Sequence, residues 1–293
     1  MCILASLNST YLEFKYAYLN NKYVKFKDAN VHIEDRGLQF ADSIYEVVSF
    51  YNQQLIDFEF HIKRLKYSLK ELKIKYEVNK DKIKKIFNKI INLNKIKNGI
   101  VYLQITRGVQ PRDHSYKNNL IPNLIIYTIN KKFNLPNKNF KGEKAITYKD
   151  LRWKRRDIKT VSLLANVLAK KEAVRKNAYE AILIDKDKIT EATASNVWIV
   201  KNNKLITHPA NTDILKGITR ESVKKIIKTN KLQLDEKNFT IKQLYNADEV
   251  FITSSTNLVT PITKIDSKII NKGKIGDISL QLATLYADLF INE

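Results

Sequence analysis

Residues 152–173, "RWKRRDIKTVSLLANVLAKKEA", set a crowd of basic side chains against an apolar run, and Lys159 stands at the join. A side chain at such a boundary can leave solvent and enter a site while its neighbours stay wet. Charge alone does not distinguish it. The 293 residues include 43 Lys and nine Arg, and most of those lysines decorate the surface. The apolar run predicts a long helix from about 160 to 177. What marks Lys159 within the chain must come from the stretches around it.

The chain is long enough to bury a large core and to split in two, as chains beyond about 250 residues usually do. A hydrophobic fraction of 44% with 7 Gly and 5 Pro describes a globular protein. No apolar run approaches the roughly 20 residues needed to cross a bilayer, so no membrane partner is expected. The opening "MCILASLNSTYLEF" has no basic region before its apolar stretch and carries Glu13, which reads poorly as a signal peptide. The single cysteine, Cys2, excludes an internal disulfide and fits a reducing, cytoplasmic setting.

A net charge of +22 would suit a nucleic-acid-associated protein. The distribution argues against it. Lysines are scattered over helical faces, as in "NKDKIKKIFNKIINLNKIKN" (79–98), arginines are few, and no basic strand interleaved with aromatics occurs. No nucleic-acid partner is expected, although the charge can steer anionic substrates.

Two regions separate. In the first (1–133), "YAYLNNKYVKFK" suggests a hairpin, and "SIYEVVSFYNQQLI" a strand pair turning at Asn52–Gln54. In the helix "FEFHIKRLKYSLKELKI", Ile62, Leu65, Leu69 and Leu72 share a face. A second helix follows over about 80–96, then buried strands at "GIVYLQITRG" and "PNLIIYTIN". Residues 134–138 read as a linker. The second region (139–293) predicts strands at "YEAILID", "SNVWIV", "KLITH" and "EVFIT", with helices from the start at 160, from near Thr219, and over about 277–291. The class is α+β.

Four stretches carry candidate chemistry. In "LKGITRESVKKII", Gly217 permits an unusual backbone, Thr219 can cap a helix, and the free amides at the helix start suit phosphate. Taken alone, the stretch reads better as an ordinary capped helix. In "EVFITSSTN", a strand delivers Thr253, Ser254, Ser255 and Thr256 in a row, an anion nest or a polar loop. In "QPRDHSY", Arg112 and His114 would project to one face if the piece is extended, suiting a carboxylate; the alternative is a solvated loop. In "KITEATASNVWIV", Glu191 begins an apolar strand. Carried inward it would need a cationic partner from elsewhere in the chain or from a ligand; otherwise it is a surface residue. The histidines lack metal-ligand spacing, so no metal is expected. His61 lies beside the apolar face of its helix and reads as structural, with Arg64 on the same helix. Two phosphate-type sites, a carboxylate trap, a buried acid and a boundary lysine together make the inventory of a pyridoxal phosphate site.

Seven blocks in order sharpen this: "EDRGLQFADSIYEVV", "HIKRL", "QITRGVQPRDH", "RWKRRDIKTVSLLANVLAKKEA", "TEATASNV", "THPANTDILKGITR" and "VFITSSTNLVTPI". Through them, from about Tyr18 to near its end, the chain resembles the fold-type IV pyridoxal phosphate enzymes. It is similar to their D-amino acid aminotransferase branch, within the branched-chain aminotransferase superfamily. The resemblance implies a small N-terminal α/β domain, a larger C-terminal pseudo-barrel, and pyridoxal 5′-phosphate as cofactor. It implies Lys159 as the Schiff-base lysine and Glu191 as partner of the pyridine nitrogen. Arg64, Ile218, Thr219, Ser254 and Ser255 match the phosphate cup, and Leu215 the residue packed on the cofactor ring. Tyr45, Arg112 and His114 match the substrate carboxylate trap. In the family that Arg and His come from the other subunit, which implies a homodimer.

The implied reaction is ping-pong transamination, D-alanine plus 2-oxoglutarate giving pyruvate and D-glutamate. An L-branched-chain aminotransferase and an aminodeoxychorismate lyase are the alternatives within the fold. Two departures occur. The family's Gly-Asp-Gly reads Ala41-Asp42-Ser43, and its Glu-Gly-Ser-Ser-Ser-Asn reads Glu191-Ala192-Thr193-Ala194-Ser195-Asn196. They are expected to touch substrate range and rate more than reaction type.

Overall fold

The structure, a computed structural model, describes residues 15–292. The chain divides into two compact units. The first runs to Lys132 and also takes Lys159–Val161; the second is Phe133–Ile158 with Ser162 onward.

The first unit begins with β1 (Tyr16–Leu19) and β2 (Lys22–Lys25), then α1 (Arg36–Phe40), β3 (Ser43–Tyr51), β4 (Gln54–Leu55), α2 (Phe58–Glu71), α3 (Lys80–Asn94), β5 (Gly99–Thr106) and β6 (Asn123–Asn130). The six strands form one antiparallel sheet ordered β2-β1-β6-β5-β3-β4. Its hairpins use few glycines. Asn20 and Asn21 both sit at positive φ (46° and 68°), as do Asn52 and Gln53 (47° and 66°). Two left-handed residues in succession make the turn whose twist suits adjoining strands, and Asn tolerates that region better than most. Alternation on β3 buries Ile44, Val48 and Phe50. α2 packs against β3 through the same apolar stripe that the sequence shows, with Ile62, Leu65 and Leu69 buried. The opposite sheet face carries half-buried Tyr45, Tyr102 and Tyr127, with Tyr45 stacked on Tyr102 at 5.7 Å and Tyr102 4.9 Å from Tyr127.

The second unit contains β7 (Glu143–Lys149), α4 (Leu164–Arg175), β8 (Glu180–Asp185), β9 (Lys188–Ala192), β10 (Asn196–Lys201), β11 (Lys204–Thr207), α5 (Ile218–Thr229), β12 (Gln233–Glu236), α6 (Ile241–Tyr245), β13 (Glu249–Ser254), β14 (Leu258–Ile265), β15 (Lys268–Ile269) and α7 (Asp277–Asn292). Its sheet runs β12-β11-β10-β13-β14-β7-β8-β9, with β15 on β14. It is mixed: β7 lies parallel to both β14 and β8, while β13 is antiparallel to its neighbours. The sheet curls enough for β9 to approach β10. Inside lie Ile182, Ile189, Val197, Ile199, Phe239, Val250 and Ile252. On another side, Ala169 and Ala173 of α4 pack with Ile146 and Leu183; residues this small let helix and sheet approach closely.

Three differences from the sequence reading bear on the site. The helix expected from 160 starts at Leu164, because Thr160 is bridged to Ile44 and Val161 N donates to Ser43 O at 3.3 Å. Phe133, expected to end the first region, is buried with its ring 4.8 Å from that of Phe290, both in the second unit. β7, β9 and β14 were not expected. β14 contains Pro261, which argues against a strand interior, and β9 is a five-residue strand entered from a turn at Lys186 (φ 59°).

Candidate active site

The candidate residues sort by unit. Tyr45, Arg64, Arg112, His114 and Lys159 belong to the first; Glu191, Leu215, Ile218, Thr219, Ser254 and Ser255 belong to the second.

In the first unit Lys159 is held by its backbone. Tyr45 N donates to Lys159 O at 3.0 Å, and Lys159 N donates to Ser68 Oγ at 3.2 Å. The segment therefore runs as an added edge along the start of β3. Lys159 Nζ stands 4.1 Å over the Tyr45 ring and forms no ion pair among the described residues. The side chain is anchored at its root and unclaimed by any carboxylate at its tip, which is the state a reactive amine needs. It is half-buried, as a residue leaving solvent at a charge-to-core boundary should be.

Behind Tyr45, on the buried face of β3, Glu46 accepts from Arg64 Nε and Nη2, both at 2.8 Å, and lies 2.7 Å from His61 Nδ1. Arg64 is thus no solvated side chain but part of a buried triad, and His61 is structural as expected. Burial by itself would raise the Glu46 carboxyl. Arg64, and after it His61, reverse that and hold it at about 2, against an ordinary 4.5. Burial also pushes His61 down, so the ring favours its neutral form. Glu46 has its lower pKa in the folded state, so its stabilisation is complete above pH 4.5 and is lost as pH falls toward 2. His61 acts in the same direction below its ordinary value. A shift of that size for Glu46 corresponds to roughly 3 kcal/mol. Urea unfolding followed from about pH 6 down to about pH 3 should show stability falling on the acid side. Glu46→Gln should flatten the fall below pH 4.5, and an unchanged slope in that variant would place the acid lability elsewhere.

Arg112 and His114 lie in the exposed loop between β5 and β6, which is bent rather than extended. They do not share a face by strand alternation. Phe40 brings them together instead, with the Arg112 guanidinium 4.6 Å over its ring and His114 5.4 Å from it. The two departures near α1 have local causes. Ala41 caps α1 in the left-handed region (φ 53°), a conformation glycine adopts without cost and alanine only at about 1–2 kcal/mol. Ser43 is fully buried; its hydroxyl donates to Ile105 O at 3.0 Å and accepts from Gln104 Nε2 at 2.9 Å.

In the second unit Glu191 lies on β9 and is buried. Its partner is Arg152, in direct contact through Nη1. Its second oxygen accepts from Asn196 Nδ2 at 3.2 Å and Leu215 N at 3.0 Å. Arg152 in turn donates to Asp150 through Nε at 3.0 Å and Nη2 at 2.8 Å. Burial pushes the Glu191 carboxyl up, and Arg152 pulls it back only in part. For Arg152, burial disfavours the charge, but Glu191 and Asp150 outweigh it and hold the guanidinium more firmly protonated than usual. The sequence reading does not name Arg152 as the partner of Glu191, nor Asp150 as that of Arg152. The signal was the need of a buried carboxylate for a cation, in a chain with only nine arginines.

Asn196 links Glu191 to the next candidate segment, since its Nδ2 also donates to Leu215 O at 2.9 Å. Gly217 is required here: a Cβ would fall 2.0 Å from Asn196 Oδ1. Gly217 is also the N-cap of α5, and no side chain caps that end. Thr219 therefore does not cap the helix as expected. It lies inside the first turn, buried, with its hydroxyl 3.3 Å from Tyr286 OH. At the end of β13, Ser254 Oγ accepts from Asn257 N at 3.1 Å and lies 3.5 Å from Thr256 Oγ1, with Ser255 between. Leu258 follows at φ 56°, so the hydroxyl-bearing turn is tight enough to place a bulky residue in the left-handed region.

A family model for class IV amino-transferases matches residues 43–265. The chain is 40% identical over 275 residues to a D-alanine aminotransferase of Bacillus licheniformis, covering 94% of this chain and 96% of that one. It is 41% identical over 272 residues to a D-alanine aminotransferase of Listeria monocytogenes, covering 92% and 94%. Among solved structures, an Escherichia coli branched-chain amino acid aminotransferase superposes with a TM-score of 0.86 at 23% identity, covering 94% of each chain. A second branched-chain amino acid aminotransferase, from T.th. and solved with pyridoxamine 5′-phosphate, gives 0.85 at 23%, covering 93% of each. At that identity the likeness is one of fold.

Proposed function

The chain belongs to the class IV aminotransferases, and within them we propose that it exchanges the amino group of D-amino acids for the oxo group of 2-oxo acids, D-alanine and 2-oxoglutarate giving pyruvate and D-glutamate. The observation that carries this is the 40% identity to D-alanine aminotransferase over more than nine-tenths of both chains. The branched-chain alternative rests on fold neighbours at 22–24% identity.

The cofactor is pyridoxal 5′-phosphate, and the residues fit it. The uncapped amides of Ile218 and Thr219 at the start of α5, the hydroxyls of Ser254 and Ser255, and Arg64 are donors of the kind a phosphate takes. Leu215 offers an apolar surface for the ring. Glu191, paired with Arg152, is a carboxylate acceptor for a protonated ring nitrogen. Bound, the cofactor supplies an electron sink for the pair left when the substrate loses its α-proton. Lys159 would be the residue that holds the cofactor covalently, through its Nζ. Its Nζ, freed when a substrate amine is bound, would be the base that takes the proton from the substrate Cα.

Tyr45, Arg112 and His114 hold the substrate carboxylate. With the carboxylate fixed and the Cα–H bond aligned, one direction remains for the side chain, so the handedness of the substrate follows from the trap. A charged hydrogen bond to a carboxylate is worth about 1.5–3 kcal/mol. Arg112→Ala should therefore lower kcat/KM for D-alanine by roughly ten- to a hundredfold while the cofactor stays bound. The test of the reading is transamination of matched D and L pairs with 2-oxoglutarate. Faster turnover of L-leucine or L-valine than of every D-amino acid tested would replace it with the branched-chain alternative.

A homodimer is part of the proposal, with Arg112 and His114 serving the partner's site. Supporting it, the segments around that loop expose Ile33 (76%), Leu38 (67%) and Ile121 (84%), and α4 exposes Leu164, Val167 and Leu168 on one side. Exposed apolar side chains of this size are what a subunit interface would cover. Among the described residues no helix is long and apolar enough to cross a membrane. The cytoplasmic assignment belongs to the same proposal and rests on the single cysteine.

A further inference from the structure

Resting on the reading of Arg112 and His114 as the carboxylate trap, we infer that Arg36 and Gln110 are the positioning residues that hold this loop in its working shape. Arg36 is buried, in the first turn of α1. Its guanidinium donates from Nη1 to Asp113 O at 2.6 Å and Ser115 O at 3.1 Å, and from Nη2 to His114 O at 3.2 Å. Three consecutive carbonyls, the middle one that of His114 itself, converge on one planar fork. From inside the loop, Gln110 Nε2 donates to the same Ser115 O at 2.7 Å, and Gln110 Oε1 accepts from Lys117 N at 3.1 Å. The loop has no strand or helix of its own to fix it, so these bonds set its path.

The fork is itself immobilised. Asp35 caps α1 by accepting from Gly37 N at 2.7 Å, and its other oxygen accepts from Thr106 Oγ1 at 2.7 Å and Asn123 Nδ2 at 2.6 Å. Gly37 permits this approach, since a Cβ there would meet Thr106 Cγ2 at 2.6 Å. Arg36 Nε donates to Asp42 Oδ2 at 2.9 Å, and Arg107 donates to the same oxygen at 2.6 Å. Phe40, the ring beneath both Arg112 and His114, also lies 4.6 Å under the Arg36 guanidinium. The stretch "EDRGLQFAD" thus builds one device: an anchor at Asp35, a fork at Arg36, a platform at Phe40 and a counter-charge at Asp42. A lysine could not replace the fork, because one ammonium cannot reach three peptide oxygens spread around a planar group.

The test compares Arg36→Lys, Gln110→Met and Arg112→Ala in the holoenzyme. Misplacing a binding group by an ångström costs up to about a hundredfold, so Arg36→Lys should raise KM for D-alanine by at least about tenfold, with kcat and the cofactor absorbance within about twofold. Gln110→Met should move KM in the same direction by less. Combined with Arg112→Ala, Arg36→Lys should add little, because the group it positions is gone. A purely structural role would lower Tm and leave KM alone, and folded Arg36→Lys with wild-type KM overturns the inference. If Arg36→Lys does not fold, unchanged KM in Gln110→Met overturns it instead. Should Arg112→Ala itself leave KM unchanged, the trap reading fails; should Arg112→Ala raise KM while the two positioning variants do not, only the present inference fails.

Discussion

Lys159→Ala is expected to abolish transamination. Nothing else in the first unit offers the same chemistry at the same place: Arg64 is tied to Glu46, and an arginine cannot give up its proton. Lys159 has its carbonyl and amide bonded to Tyr45 and Ser68, so its root is fixed while its amine carries no counter-ion among the described residues. Loss of a positioned acid–base group costs about 10²–10⁴ in rate. On the proposed reading Lys159 would also hold the cofactor covalently, so the fall should reach at least the upper end of that range. The measurement is single-turnover conversion of D-alanine by the cofactor-loaded variant. Borohydride treatment of the unmutated enzyme, followed by peptide mapping, should place the reduced adduct on Lys159. An adduct on any other lysine would sink the assignment.

The second large effect is expected at Glu191. Glu191→Gln keeps the shape and removes the charge, leaving Asp150 as the carboxylate paired with Arg152; on the proposed reading it would also leave the ring nitrogen without an anionic partner. Loss of one preorganised electrostatic contact to a developing charge costs about 10²–10³ in rate. Single-turnover half-reactions should slow by that order while cofactor retention changes little, because the proposed phosphate donors on α5 and β13 are untouched. Rates near wild type would assign the ring nitrogen another partner.

Much of the frame is written in short-range pattern. The apolar stripe Ile62, Leu65, Leu69 made α2 legible, as alternation did for β3 and β5, because a period of 3.6 or 2 follows directly from backbone geometry. The paired left-handed residues at Asn20–Asn21 and Asn52–Gln53 are local as well. Lys159 stands out as a candidate through its block, and Glu191 through the position of a carboxylate at an apolar strand. Tertiary structure decided everything that depends on a distant partner. Glu191 is matched by Arg152, 39 residues away, which no window on β9 contains. Thr160 is drawn out of helix by Ile44 on a strand more than a hundred residues earlier, so α4 starts four residues late. Arg112 and His114 meet over Phe40 rather than along a strand. Local propensity is worth a few tenths of a kcal/mol per residue, while an unpaired buried charge costs several. Wherever the two compete, the long-range partner wins.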